Sequence, residues 1–127
     1  VLKFMQRIKG SLLHLFPVSA LMSASEFVDN ALAKDVVVVF SKSYCPYCTK
    51  VKKLFSELGV AFVTHELDKI ENGSNIQQEL GKRTGATSVP RVFIAKEIIG
   101  GCDDTMSAHS SGALKQKLVS AGALTNQ

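Results

Sequence analysis

Two cysteines that lie three positions apart form the most reactive pair in the chain. Cys45 and Cys48 enclose Pro46 and Tyr47 in the segment SKSYCPYCTK (41–50). Such a pair suits three kinds of site: half of a tetrahedral metal site, a short structural disulfide, or two thiols that react with other disulfides. In the third case a thiolate attacks a disulfide sulfur and forms a mixed disulfide as the intermediate.

The remaining residues favour the reactive thiol pair. A tetrahedral zinc site needs four ligands, and no second CxxC is present, so Cys102 and one of the histidines at 14, 65 or 109 would have to complete it. A disulfide between positions i and i+3 closes a very short loop and gains little loop-closure entropy. Three cysteines also fit a reducing compartment better than a disulfide-stapled secreted domain. We therefore expect no metal site and a redox role for the pair.

The segment TSVP (87–90) is the first candidate for substrate binding. A proline directly before an apolar run ends a loop and restricts Val89 to extended geometry. With a cis Val89–Pro90 bond, Val89 would offer its backbone N–H and C=O to an extended thiol peptide. The base rate of cis bonds favours an ordinary trans turn instead, so the dipeptide alone leaves both interpretations open.

The segment GGCDD (100–104) is the second candidate. Two glycines allow a close approach to the backbone. Asp103 or Asp104 would cap a helical turn whose N–H groups bind a carboxylate, and an Asp side chain would hold an ammonium group. Such a site suits an amino-acid head group. A Gly-rich turn followed by a helix cap explains the same residues equally well.

The elements on either side of the CxxC are predicted to be a strand and a helix. The run DVVVVF (35–40) is uninterrupted and β-branched, which is typical of a strand buried on both faces. Apolar residues between Val51 and Leu58 then follow the i, i+3, i+4, i+7 spacing of a helix. Cys45 would lie at the N-terminus of that helix, where the free N–H groups favour a thiolate and Lys42 adds positive charge. Cys48, one turn further on, is expected to be less exposed, which suits a resolving thiol.

The order of the elements predicts an α/β domain. The order α-β-α-β-α-β-β-α implies a parallel strand pair joined by a crossover, followed by an antiparallel hairpin. The result is a small four-stranded mixed sheet with helices on both faces. The other predicted elements are a helix from Ser23 or Ser25 to about Lys34, a strand at 60–67, a helix at 74–85 with a capping box of Ser74 and Gln77, strands at 91–95 and 97–99 around a Lys96–Glu97 turn, and a helix at about 111–122.

The length and the charge of the chain are those of one globular domain. It has 127 residues, of which 46% are hydrophobic and 20% charged. The net charge is +4, but residues 1–25 contain three basic residues and no acidic one, which leaves 12 basic and 11 acidic residues in the remainder. This balance argues against nucleic acid or a membrane as a partner, and the chain has no apolar run of about 18 residues that would indicate a transmembrane helix.

Residues 1–22 are interpreted as an N-terminal extension and residues 23–127 as the domain. The extension is basic, apolar and free of acidic residues, which suits a mitochondrial presequence, and a secretory signal is a second interpretation. Because the sequence begins with Val, plainer interpretations are a fragment, a processed product, or residues from upstream sequence or added to the natural chain. Met22 would then be the natural start. We expect a cytoplasmic protein, or a mitochondrial one if the extension is a genuine presequence.

Taken together, these motifs resemble those of a dithiol glutaredoxin with the thioredoxin fold. The segments VVVFSKSYCPYCTKVKKLF, TGATSVPRVFI and IGGCDDT occur in the order and spacing of the family, and the resemblance runs from about Ser25 to Leu124. CPYC is the dithiol active-site motif of that family. A thioredoxin would typically carry a Trp before CGPC, and this chain has no Trp.

The resemblance implies a glutathione-dependent oxidoreductase. Cys45 would be the nucleophile that accepts glutathione from a mixed disulfide, and Cys48 would resolve protein disulfides. Glutathione would be the reducing co-substrate of a monomeric enzyme that acts on glutathionylated and disulfide-containing proteins, with electrons supplied indirectly by glutathione reductase and NADPH. Some glutaredoxins instead hold a [2Fe–2S] cluster between two chains, an alternative that Pro46 disfavours. An inactive structural module is disfavoured by the intact CPYC motif.

The resemblance also implies a set of glutathione-binding residues. Lys42 and Gln77 would approach the glycine carboxylate, and Val89, through a cis bond to Pro90, would pair with the cysteine moiety. Residues 102–104 would receive the γ-glutamyl end through N–H groups and a carboxylate. The full set is Lys42, Tyr47, Gln77, Ser88, Val89, Pro90, Gly101, Cys102, Asp103 and Asp104.

Several of these residues have plainer interpretations. Gln77 would complete the helix cap with Ser74, and Lys42 would be a solvated surface lysine. Tyr47 would only cover the start of the helix. Cys102 would be a small buried residue rather than a redox participant.

Two positions depart from the pattern of the family. Ser88 stands where members often have Thr, so the hydroxyl is kept. Thr87 stands where some members carry a basic residue, which would weaken an electrostatic contact with glutathione. His65 and His109 are interpreted as bystanders.

Overall fold

The computed structural model describes residues 22–125, so the predictions for residues 1–21 lie outside the described residues. The described part forms five helices, four strands and one short 3-10 turn. The helices are α1 (Ala24–Lys34), α2 (Pro46–Glu57), α3 (Gly73–Thr84), α4 (Cys102–Ser111) and α5 (Ala113–Ser120). The strands are β1 (Val37–Ser41), β2 (Val63–Glu66), β3 (Arg91–Ile94) and β4 (Glu97–Gly100), and the 3-10 turn is Leu67–Lys69.

The four strands form one mixed sheet in the order β2-β1-β3-β4. β1 pairs in parallel with β2, where Phe40 lies opposite His65, and the other two pairs are antiparallel. The predicted four-stranded mixed sheet is therefore confirmed. All five residues of β1 are buried, as its run of β-branched residues predicts.

Strand β1 separates two apolar layers. Val37 and Val39 pack with residues of α2, α4 and α5, whereas Val38 and Phe40 pack with residues of α1 and α3. This alternation follows from the period of two residues in a strand. Because both faces of β1 are buried, the position of its C-terminal end is well determined, and the chain leaves that end directly into the CxxC segment.

The N-terminus of α1 is capped as predicted. Ser23 is the N-cap residue, and its hydroxyl accepts a hydrogen bond from the N–H of Glu26 at 3.1 Å. The carboxylate of Glu26 in turn accepts the N–H of Ser23 at 3.2 Å, which completes a capping box.

The C-terminal part contains two helices where one was predicted. Helix α4 covers a stretch for which the sequence indicated only a capped turn, and Gly112, with φ 88°, separates it from α5. Helix α4 was missed because it buries only Cys102 and Thr105, so its sequence lacks apolar periodicity. Leu114 and Leu118 of α5 are buried, as predicted.

The predicted capping box of Ser74 and Gln77 is wrong. Helix α3 begins one residue earlier, at Gly73, and no side chain caps it from the N-cap residue Asn72. The cause is a close approach to the 3-10 turn. A Cβ on Gly73 would lie 1.8 Å from the carbonyl oxygen of Leu67, so a glycine is required where the helix begins.

Two boundaries in the sheet also differ from the prediction. Strand β2 is shorter than the predicted segment 60–67 because the chain enters the 3-10 turn at Leu67. The turn between β3 and β4 consists of Ala95 and Lys96 rather than Lys96 and Glu97. Their φ angles are 50° and 69°, as a two-residue hairpin turn requires at both central positions.

Candidate active site

Cys45 is the N-cap residue of α2 and follows the loop that leaves β1. Its sulfur accepts a hydrogen bond from the N–H of Cys48 at 3.3 Å, and Pro46 occupies the first helical position, where no N–H is needed. The N–H of Cys45 donates to the carbonyl of Lys42 at 3.1 Å, which closes the loop into a tight turn. The side chain is partly exposed. The predicted placement of this cysteine at a helix N-terminus is therefore confirmed.

Cys48 differs from Cys45 in its burial. Its side chain is completely buried, whereas Cys45 is partly exposed. Burial raises the pKa of the Cys48 thiol to about 11, and its hydrogen bond with Cys45 acts in the same direction. Cys48 therefore keeps its proton at neutral pH, as expected for the less exposed member of the pair. Both residues are free thiols.

A groove of about 320 Å³ lies next to Cys45. The thiol of Cys45 lies 3.8 Å from the carbonyl oxygen of Val89, and the Val89–Pro90 bond is cis, as predicted. The groove is lined by Tyr47, Ser88, Val89, Pro90, Arg91, Gly101, Cys102, Asp103 and Asp104. The structure thus brings eight of the ten predicted glutathione-binding residues to one surface beside the nucleophile.

Lys42 and Gln77, the other two predicted residues, do not line this groove. The Nε2 of Gln77 donates a hydrogen bond to the carbonyl of Thr87 at 2.7 Å, so this side chain holds the loop that precedes the groove. Lys42 is half-buried, and its ammonium group forms no ion pair with a carboxylate of residues 22–125. Contact of either residue with a carboxylate of a ligand stays a prediction.

The N-terminus of α4 borders the groove. Its N-cap residue is Gly101 rather than Asp103 or Asp104, because the chain stays extended through the second glycine after β4. Asp104 instead reaches back, and its Oδ2 accepts the N–H of Gly101 at 3.1 Å. Cys102 is 7% exposed and packs in the layer formed with α2 and α5, and burial raises the pKa of its thiol. Its side chain is buried, as the plainer interpretation expects, but the residue also lines the groove, so its role in glutathione binding stays a prediction.

Arg91 lines the groove and was not predicted as a site residue. It is the first residue of β3 and is only 7% exposed, and its Nε donates to the carbonyl of Pro90 at 3.3 Å. A signal for it exists in the sequence. An arginine that opens an otherwise apolar strand is expected to be buried with its charge directed to something specific.

A second unpredicted contact holds the loop before Cys45. Asp68, in the 3-10 turn after β2, accepts hydrogen bonds from the N–H of Ser43, at 2.9 Å, and from its hydroxyl. These two bonds lower the pKa of the Asp68 carboxyl. Ser43 lies between Lys42 and Cys45, so the loop that carries the nucleophile is tied to the neighbouring strand connection. The two residues are 25 positions apart, and no local sequence signal connects them.

The histidines of the described part lie away from the groove. The ring of His65 packs against Phe27 and Phe40, with centroid distances of 5.2 and 5.4 Å, and burial lowers its pKa. His109 is exposed on α4.

Among residues 22–125, no group of three or more His, Cys, Asp or Glu side chains is placed to hold a metal ion. Within the same residues, no helix combines the length and the apolar character that crossing a bilayer requires.

Comparison with known proteins gives consistent matches along the chain. The sequence profile of the Glutaredoxin family matches residues 37–99. Glutaredoxin-C6 of Oryza sativa subsp. japonica is 48% identical over 107 residues, which are 84% of this chain and 92% of that protein. Glutaredoxin-C4, chloroplastic, of the same species is 48% identical over 108 residues, or 85% of this chain and 78% of that one. The crystal structure of a buckwheat glutaredoxin–glutathione complex superposes with a TM-score of 0.77 at 40% identity and covers 87% of this chain and 99% of its own.

Proposed function

The chain belongs to the glutaredoxin family, has the thioredoxin fold and is a thiol–disulfide oxidoreductase, and from this premise we propose that it removes glutathione from mixed disulfides and reduces protein disulfides. The observation that carries the proposal is the placement of Cys45. The residue is partly exposed at the N-terminus of α2, and its sulfur lies 3.8 Å from the carbonyl of Val89 in the groove. A similar protein from buckwheat is known in complex with glutathione, which supports glutathione as the ligand of this groove.

In the proposed reaction, Cys45 accepts glutathione from a glutathionylated protein. The Cys45 thiolate attacks the glutathione sulfur, the protein–glutathione S–S bond breaks, and the protein thiolate leaves and takes a proton from solvent. A second glutathione, as its thiolate, then attacks the glutathione sulfur held on Cys45. This step releases glutathione disulfide and regenerates the Cys45 thiolate. The groove contributes by holding the three sulfurs in line.

Cys48 acts only in the reduction of protein disulfides. In that route Cys45 first forms a mixed disulfide with the substrate protein, and Cys48 then attacks the sulfur of Cys45. The substrate thiol leaves, and Cys45 and Cys48 form an intramolecular disulfide that two glutathione molecules reduce in turn. Since burial raises the pKa of Cys48 to about 11, its attack is slow at neutral pH and leaves glutathione time to compete.

The binding of glutathione is assigned to the predicted residues. Lys42 and Gln77 would attract the glycine carboxylate, and the backbone of Val89 would pair with the cysteine moiety. The N-terminus of α4, at residues 101–104, would receive the γ-glutamyl group through its N–H groups and Asp side chains. Tyr47 would form a wall, and Ser88 and Pro90 the base. The position of eight of the ten residues on one groove supports this assignment.

The proposed partners are glutathione and glutathionylated or disulfide-containing proteins, with glutathione reductase and NADPH recycling the glutathione disulfide. We place the protein in the cytoplasm as a monomer. A relative that is named as chloroplastic supports an organelle as the alternative. Mass spectrometry of the mature N-terminus separates the two: a start at Met22 supports the cytoplasm, and a cleavage site within residues 1–22 supports import.

The test compares wild type with Cys45→Ser and Cys48→Ser. Each protein receives a glutathionylated substrate, glutathione, glutathione reductase and NADPH, and the loss of NADPH is followed. We expect Cys45→Ser to be inactive and Cys48→Ser to keep most of the deglutathionylation activity while losing direct reduction of protein disulfides. Activity in Cys45→Ser, or its loss in Cys48→Ser, would contradict the mechanism. An inactive wild type whose anaerobic preparation is brown would favour the [2Fe–2S] alternative.

A further inference from the structure

Arg91 carries a buried positive charge that the carboxylate of Asp104 offsets through space without a direct ion pair. Its side chain is 7% exposed, and it forms no ion pair with any carboxylate of residues 22–125. Its hydrogen bonds are long and go to neutral groups: Nε donates to the carbonyl of Pro90 at 3.3 Å and Nη1 to the hydroxyl of Thr84 at 3.5 Å. Burial lowers the pKa of the guanidinium, and the charge of Asp104 opposes that shift. Keeping a cation buried without an ion pair is costly, so a ligand that supplies the missing charge is expected.

The guanidinium lies directly behind the N-terminus of α4. A Cβ on Gly101 would come within 2.9 Å of Nη2 of Arg91, so the glycine allows the cation to reach this position. Gly101 is the N-cap residue of this ten-residue helix and has no side chain with which to cap it. The first N–H groups of an α-helix, here those of Cys102 and Asp103, have no acceptor within the helix. Both these residues and Arg91 line the groove.

Free N–H groups backed by a fixed cation form a site for a carboxylate. We propose that Arg91 is a specificity residue that selects the α-carboxylate of the γ-glutamyl group of glutathione. This proposal rests on the proposed function, since it takes glutathione as the ligand. Arg91 acts by supplying positive charge behind the N–H groups of α4, and without it that end of the groove binds glutathione no better than a thiol peptide that lacks the carboxylate.

The test uses pairs of mixed disulfides that differ in one group. One reporter peptide is joined by a disulfide to glutathione. A second is joined to 4-aminobutanoyl-cysteinylglycine, which is glutathione without the α-carboxylate. A third carries glutathione whose glycine carboxylate is an amide. Each reacts once with excess reduced protein in the Cys48→Ser background, where the transfer stops at Cys45. Release of the fluorescent peptide gives the second-order rate constant.

Arg91→Gln removes the charge, Arg91→Lys keeps it, and Arg83→Met is the matched control. Arg83 is an arginine of α3 that pairs with Asp29 and Glu79 and does not line the groove. With Arg91 present, we expect transfer from glutathione to be about 10-fold faster than from the analogue without the α-carboxylate, the usual size for one charge-assisted contact. This ratio should fall to about 1–2 in Arg91→Gln, stay above about 5 in Arg91→Lys, and be unchanged in Arg83→Met. The loss caused by the glycine amide should be the same in every variant.

A structural role of Arg91 predicts a different pattern. If Arg91 only holds Pro90 and Thr84 together, Arg91→Gln should slow all three disulfides by the same factor, and that result would overturn the proposal. A wild-type ratio near 1 would overturn it as well. Thermal unfolding shows whether each variant is folded. If Arg91→Gln is unfolded, Arg91→Lys is the deciding variant, because it keeps the charge. A folded Arg91→Lys that no longer prefers glutathione over the analogue without the α-carboxylate would overturn the proposal. No transfer of glutathione to Cys45 in any protein would instead refute the proposed function.

Discussion

The burial of Cys48 should make the dithiol route depend on pH more steeply than the route through Cys45 alone. In the proposed dithiol route, reduction of a protein disulfide passes through a mixed disulfide at Cys45, which Cys48 attacks as a thiolate. Burial raises the pKa of Cys48 from 9.0 to about 11. At pH 7, about 1 in 10,000 of these side chains is then a thiolate, against about 1 in 100 for a thiol without the shift.

A higher pKa also makes the thiolate a better nucleophile, and the two effects oppose each other. With a Brønsted coefficient of about 0.5, two pKa units increase the reactivity of the thiolate about 10-fold, against a loss of about 100-fold in its population. We therefore expect attack by Cys48 at pH 7 to be about 10-fold slower than attack by an unshifted thiol. The rate should rise about 10-fold per pH unit and level off between 9.0 and about 11. The plateau covers this range because two causes raise the pKa of Cys48 in the free protein. Burial persists in the mixed disulfide, whereas the hydrogen bond with the free sulfur of Cys45 is lost.

Stopped-flow fluorescence measures this step directly. The reduced protein is mixed with a symmetrical peptide disulfide that carries a quenched fluorophore on each half, so the attacks by Cys45 and by Cys48 release one peptide each. The second phase is followed between about pH 6 and pH 10, and Cys48→Ser serves as the control that should show the first phase alone. A second phase that levels off at or below pH 9.0 would refute the reasoning, because Cys48 would then ionise like a thiol without the shift.

Three further predictions follow from other parts of the fold. Asp68→Ala removes both hydrogen bonds to Ser43 and should lower kcat/KM about 3- to 10-fold, whereas Ser43→Ala removes only the hydroxyl bond, keeps the backbone N–H bond and should lower it less. The double variant should be no worse than Asp68→Ala alone, and additive losses would contradict this. Thermal stability should fall as the pH is lowered through about 6.5, because burial lowers the pKa of His65 in the folded state and only the unfolded chain takes up the proton there. This dependence of the melting temperature on pH should be present in wild type and should flatten in His65→Gln. Gly73→Ala should destabilise the protein by about 2–4 kcal/mol in chemical denaturation, since its Cβ would lie 1.8 Å from the carbonyl oxygen of Leu67. Gly59→Ala should cost only about 1 kcal/mol, since its Cβ would meet no atom within 4 Å and only the φ angle of 73° is unfavourable. Equal losses in the two variants would contradict the role assigned to the close contact of Gly73.

The parts of the site that depend on neighbouring residues could be predicted from the sequence. The β-branched run before the CxxC indicates a buried strand because burial on both faces needs no polar alternation. Pro46 and the apolar spacing after it indicate where α2 begins, which places Cys45 at its N-terminus. The same reasoning fails for α4, whose only buried residues are Cys102 and Thr105, since a helix that buries so little leaves no periodic pattern.

The remaining parts depend on contacts between distant residues. The capping box of Ser74 and Gln77 is a valid local pattern, but the approach of Gly73 to the 3-10 turn starts the helix earlier and leaves Gln77 to bind the carbonyl of Thr87. The burial of Arg91 beneath the start of α4 likewise depends on how β3, β4 and α4 meet. Such packing is a property of the assembled sheet, and no local rule of the sequence contains it.

The unequal exposure of the cysteines also determines how the protein responds to an oxidant. Of the three, Cys48 and Cys102 are buried, so peroxide meets Cys45 first and converts its thiolate to a sulfenic acid. Further oxidation to the sulfinic acid would be irreversible. The thiol of Cys48 is hydrogen-bonded to the side chain of Cys45, so it is placed to condense with the sulfenic acid, forming a disulfide and releasing water. In the proposed reaction glutathione would reduce that disulfide, and the second cysteine would thereby protect the first from permanent damage.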